Sequence, residues 1–161
     1  MRVYDESTKD RTQFSVQVNW SRARTFSSRQ RNWIKESIPH VRGVYVVYLT
    51  DDSFEYRRAR LESRILYFGS GWLKERLFAH TDGRGNQELR MHLEESRLSF
   101  RWAKIEDDEH DWPVVVERVF VHEFKRLFGS LPPANRVHPP RRPMFRYSIV
   151  DQHPFDVLEE L

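Results

Sequence analysis

Three side chains on one short stretch could together hold an anion: the phenol of Tyr67, the guanidinium of Arg76 and the imidazole of His80. The apolar run Ile65-Leu66-Tyr67-Phe68 stops at Gly69 and Gly71, and a helical pattern follows at once. The spacing predicts a strand, a tight turn and a helix over Trp72 to Thr81. Arg76 and His80, four residues apart, share a face of that helix. Phosphate is the natural ligand, because arginine offers it a planar fork of donors. Taken alone, the same residues read more simply as a surface connection with solvated polar groups, so the rest of the chain has to decide.

A second phenol, Tyr45, lies in Gly43-Val44-Tyr45-Val46-Val47-Tyr48-Leu49-Thr50, a β-branched and aromatic run that predicts a strand. If this strand and the next form a hairpin, both phenols can reach one site. Two sheet aromatics packing on a core is the plainer alternative. The acid is Glu117. It shares a helix face with Phe120, Val121, Phe124 and Phe128, the apolar stripe of the last helix. An acid in such a stripe costs desolvation energy unless it is paired or bound to a metal. Glu123 falls about 240° away around the helix and reads as a solvated acid. A buried ion pair with one of the arginines is the simpler account of Glu117. A single carboxylate on a rigid helix also suits Mg2+ or Mn2+, hard ions that keep most of their waters. Tyr45, Tyr67, Arg76, His80 and Glu117 then cover the roles for cutting a phosphodiester. These roles are charge neutralisation by a metal on Glu117, phosphate stabilisation by Arg76, and proton removal from water by a phenol or imidazole.

The elements that must position these groups follow from periodicity. Phe14, Val16, Val18 and Trp20 alternate as in a strand, Ser21 to Thr25 reads as a basic turn, and Ser27 or Ser28 starts a helix closed by Pro39. Phe54 to Ser63 is an Arg-rich connection or a ragged hairpin extension. Asn86 starts a helix carrying Leu89, Met91 and Leu93, and Leu98, Phe100, Trp102 and Ile105 mark a third strand. Asp111 is expected to cap a helix that ends at Gly129. Residues 1–12 read as loosely ordered, Glu106 to Asp111 as an acidic loop, and Met144 to Val150 as an edge strand in a Pro-rich tail. The order β-α-β-β-α-α-β-α predicts an α/β (α+β) domain with a small, mainly antiparallel three-stranded central sheet flanked by helices.

At 161 residues the chain has room for one domain and a tail. The absence of cysteine excludes disulfides and thiolate metal sites. No apolar run approaches the ~20 residues of a membrane helix, and the polar N-terminus does not read as a signal peptide. A cytoplasmic protein is the expectation. The net charge is only +3, yet 22 of the 27 basic residues are arginine. A GC-rich coding sequence would favour arginine too. The clusters Arg22 to Arg31, Arg57 to Arg64 and Arg136 to Arg146 stand apart from the acids and predict a positive face, as nucleic-acid binding requires.

Taken together, Gly43-Val44-Tyr45, Tyr67-Phe68-Gly69, Leu73-x-x-Arg76-Leu77-x-x-His80, Glu117-x-x-Phe120-Val121-x-x-Phe124 and Gly129-x-Leu131-Pro132-Pro133-x-Asn135 resemble the GIY-YIG endonuclease superfamily. The resemblance covers residues 38–136. Residues 1–37 are then an N-terminal extension and 137–161 a tail, available for DNA or dimer contacts. It implies a metal-dependent endonuclease acting on DNA, with RNA left open as substrate. Tyr45 and Tyr67 would line the site, one of them a candidate base. Arg76 would contact the scissile phosphate with His80 beside it, and Glu117 would hold one Mg2+ or Mn2+. Glu123 is the second choice of ligand. Asn135 would be structural or shape the site. Arg57, Arg58, Arg64, Lys74, Arg84 and Asn135 are the expected nucleic-acid contacts, and a homodimer is one way to cut both strands. The alternative from another class is a non-catalytic nucleic-acid-binding module of the same fold.

Overall fold

The computed structural model describes residues 2–3, 13–82, 84–105, 111–136 and 146–151. In chain order the elements are β1 (Arg2–Val3), β2 (Gln13–Val18), β3 (Arg24–Phe26), a 3-10 turn at Ser28–Gln30, α1 (Arg31–Ser37), β4 (Arg42–Leu49), β5 (Phe54–Tyr56), β6 (Leu61–Ser63), β7 (Ile65–Trp72), α2 (Leu73–Thr81), α3 (Gln87–Glu95), β8 (Leu98–Lys104), α4 (Trp112–Phe128) and β9 (Arg146–Asp151). The fold is α+β. A four-stranded antiparallel sheet of order β3-β8-β4-β7 forms its centre. β5 and β6 make a separate hairpin, and β1, β9 and β2 a second sheet.

β4 and β7 are the two most β-branched and aromatic segments, and they pair with Tyr45 opposite Gly69 and Val47 opposite Tyr67. Residues directly opposite in an antiparallel pair point to the same face, as do residues two apart. Tyr45, Val47, Tyr67 and Gly69 therefore share one face. A register shift between Val47 and Tyr48 keeps the rest of β7 in step with the core. On the Tyr45 face, Ile34 and Ile38 of the α1 segment, Leu73 and Leu77 of α2 and Leu89 of α3 close one apolar core. On the other face, α4 lays Val116, Phe120 and Phe124 against Val44, Val46 and Phe68.

β7 is the sheet's edge strand, and an unpaired edge needs covering. The loop after α4 does this: the Ala134 N–H donates to the Leu66 carbonyl at 3.0 Å. The Asn135 amide then takes both groups of Phe68. Its Oδ1 accepts from the Phe68 N–H and its Nδ2 donates to the Phe68 carbonyl, each at 2.9 Å.

Several expectations are corrected. The central sheet has four strands, not three, because Arg24–Phe26 pairs with β8. Only Phe26 of that strand is buried, so its sequence carries no alternation and reads as a turn. No turn separates strand from helix at Gly69 and Gly71: β7 runs on through both and hands over directly to α2. Trp72 is the last strand residue and is exposed, and the helix begins at Leu73 rather than at Trp72. Asp111 stands at the start of α4 but makes no side-chain cap; it adopts φ 51°, and its carboxylate pairs with Arg42 at 2.5 Å. β9 is the middle strand of its sheet rather than an edge, and Arg2–Val3 is a strand paired with it. The acidic stretch 106–110 and the tail segments 137–145 and 152–161 lie outside the described residues. Residues 24–37, assigned to the extension, contribute Phe26 and Ile34 to the same core as Tyr45.

Candidate active site

Gly69 is the first requirement of the site. A methyl group there would fall on the ring end of Tyr45 and within 2.7 Å of Tyr67 Cε1. Only a residue without Cβ leaves the two phenols room beside each other, and their ring centroids stand 5.9 Å apart. Both rings also touch the His80 imidazole, with centroids at 5.8 and 5.5 Å.

His80 sits on the last turn of α2 and is buried, not on a solvated helix side. Gly85 lets the following loop close over it, since a Cβ there would strike Nδ1. The Asn86 backbone N–H donates to that Nδ1 at 3.1 Å. Nδ1 is thereby the unprotonated nitrogen, and Nε2–H donates to the Tyr45 hydroxyl at 2.7 Å. Burial, with the Arg76 charge adding to it, pulls His80 down to about 4, so the ring is neutral at physiological pH.

Arg76 stands at the mouth, exposed, with its aliphatic stem lying over Gly71. Its positive charge faces both phenols and lowers their pKa values. Burial pushes Tyr45 well above the ordinary phenol value; the neighbouring Tyr67 and Glu117 add to this and Arg76 offsets part. Tyr67 is likewise raised by burial and by Glu117, and is lowered by Arg76 and by the neighbouring Tyr45. The order of donors is thus Asn86 to His80 to Tyr45, with the Tyr67 ring beside Tyr45.

Glu117 lies on α4, which packs on the opposite face of the sheet, and its charge is felt by Tyr45, Tyr67 and Arg76. Ser70, the neighbour of Gly69 on β7, donates its hydroxyl to Glu117 Oε2. Burial raises the Glu117 carboxyl above its usual range, while Ser70 and Arg76 work against that shift. Its other oxygen accepts no hydrogen bond among the described residues, and the charges of Arg76 and Arg118 act on the carboxylate. Among the described residues no cluster of three or more His, Asp or Glu side chains is built to hold a metal. A single carboxylate supplemented by water and substrate oxygens fits Mg2+ or Mn2+ rather than an all-protein cage. Glu123 points away and pairs with Arg126 at 2.6 Å.

The five expected catalytic residues are therefore brought together from β4, β7, α2 and α4. The expected contact residues are more scattered. Lys74 lies in the first turn of α2, half-buried. Arg84 is exposed and pairs with Asp82. Arg64 donates to the Thr50 carbonyl at 3.1 Å, beyond the far end of β4, about 16 Å of strand from Tyr45. Arg57 is exposed on the β5–β6 hairpin, and Arg58 lies beside Gly129 at the end of α4, about 18 Å of helix from Glu117. Asn135 spends both ends of its amide on Phe68 and acts as an edge clamp.

Sequence reasoning missed two members. Ser70 directly follows the second motif and carried no signal of its own. Asn86 was legible as a helix cap, and its Oδ1 does accept from the Leu89 N–H at 3.0 Å. Its backbone contact to His80 was not legible. No protein-family model, curated protein or solved structure matches the chain.

Proposed function

We propose that the protein is a divalent-metal-dependent endonuclease that hydrolyses phosphodiester bonds in DNA, with a site of the GIY-YIG kind. The observation that carries this reading is the convergence of two phenols, one arginine, one neutral histidine and one half-buried carboxylate at the edge of β7. Arg76 is available at the mouth to bind a phosphate and to oppose the charge of a pentacovalent intermediate. Glu117 would hold Mg2+ or Mn2+, which when bound supplies positive charge beside the phosphate and its leaving oxygen. Tyr67 keeps some exposure and Tyr45 has none, which favours Tyr67 as the phenol that meets the attacking water. Tyr45 lies behind it, and His80 is held by Asn86 as a donor to Tyr45 rather than as a free base.

The test is a set of substitutions assayed for metal-dependent cleavage. Glu117→Ala and Arg76→Ala keep the fold, by circular dichroism, and lower cleavage by about a hundredfold or more. If both cut at the wild-type rate, the assignment of the site is wrong.

A further inference from the structure

Trp72 leaves 48 % of its surface open at the end of β7, the most exposed aromatic among the described core-type residues. It is not loosely placed. The His40 ring stacks on it with centroids 4.6 Å apart and planes 12° from parallel. His40 Nδ1 is in turn 2.6 Å from Glu75 Oε1. The backbone is fixed on both sides of the indole: Trp72 pairs with Arg42 across the sheet, and the Leu73 N–H donates to the Val41 carbonyl at 3.0 Å. A rigid aromatic face of this kind binds with little loss of side-chain freedom.

Its position suggests the ligand. Trp72 follows Ser70, the partner of Glu117, by two residues, about 7 Å of strand. That is about the span of one nucleotide in an extended, unpaired strand, whose spacing exceeds the roughly 3.4 Å rise of a stacked duplex. The stem of Arg76 crosses the intervening Gly71, and Lys74 follows in the first turn of α2. An indole backed by His40 on one face and half open, with Arg76 and Lys74 on the helix that follows, is the kind of combination that binds single-stranded nucleic acid. A base inside an intact duplex has both faces covered by its neighbours and cannot use it.

We propose that the Trp72–His40 stack is a base-stacking platform that takes an unpaired nucleobase of the substrate strand, about one nucleotide from the scissile phosphate. The proposal rests on the nuclease reading and adds a preference for frayed, single-stranded or branched substrates over intact duplex. The test measures fluorescence anisotropy of a labelled mixed-sequence single strand and of its blunt-ended duplex, in EDTA so that neither is cut. Trp72→Ala is expected to weaken single-strand binding about tenfold and to change duplex binding less than about twofold. Trp72→Phe retains most of the single-strand affinity. Equal loss on both substrates, or no loss on either, overturns the platform while leaving the nuclease reading intact. A wild-type protein that binds neither substrate overturns both.

Discussion

The neutral, buried His80 makes stability depend on pH in a way that can be isolated. The ring is held below its ordinary value of 6.5, at about 4, so the folded protein resists its protonation. The unfolded chain takes up that proton near pH 6.5. The contribution is fully present above pH 6.5 and is lost as pH falls towards 4, because the unfolded state binds more protons throughout that window. The full effect is about 3 kcal/mol, of which about 2 kcal/mol is gone by pH 5. Carboxylates titrate over the lower part of the same range, and Glu117 acts in the opposite sense. Its raised value favours the protonated form, so its contribution is lost as pH rises through its own titration. Comparing the wild type with His80→Gln removes these common effects. Urea unfolding at pH 8 and pH 5 is expected to show the wild type losing about 2 kcal/mol more than the variant. Equal losses in the two proteins would refute the buried neutral histidine and the hydrogen-bond order built on it.

Three further outcomes follow from the same geometry. Gly69→Ala places a methyl on Tyr45 and Tyr67, so cleavage is abolished while circular dichroism stays that of a folded α+β protein; wild-type activity would mean the rings need not be adjacent. Asn135→Ala leaves the Phe68 N–H and carbonyl without their partners, which lowers unfolding free energy by about 2–4 kcal/mol in a urea titration. Because both phenols stand above their ordinary value of 10, the ionised base is a minor form at neutral pH. The single-turnover cleavage rate therefore climbs about tenfold per pH unit from 7 to 9. A plateau beginning near pH 7 would point to a different base.

What the sequence made legible was the part governed by local pattern. The β-branched runs of β4 and β7 announced themselves, and so did the helix positions of Arg76, His80 and Glu117. Gly129 closes α4 with φ 75°, as a glycine after a helix should. What depends on distant pairing was hidden. Arg24–Phe26 joins the sheet only because β8 offers it an edge, and three residues with one apolar side chain carry no period. Gly69 and Gly71 read as a turn because glycine usually marks one; here Gly69 is a strand residue made small by the rings of Tyr45 and Tyr67. Asp111 looked like a cap, but Arg42, 69 residues earlier, takes its carboxylate. In the site, helical periodicity put Glu117 on the core face of α4. That Ser70 would meet it there depends on the strand register, which no local pattern encodes.

The central claim is metal-dependent hydrolysis of DNA, and one measurement bears on it most directly. Purified wild-type protein is incubated with supercoiled plasmid, single-stranded oligonucleotide and branched DNA, each with Mg2+, with Mn2+ and with EDTA. The account predicts cleavage of at least one substrate with either metal and none in EDTA. No cleavage of any substrate under either metal, or equal cleavage in EDTA, would contradict it.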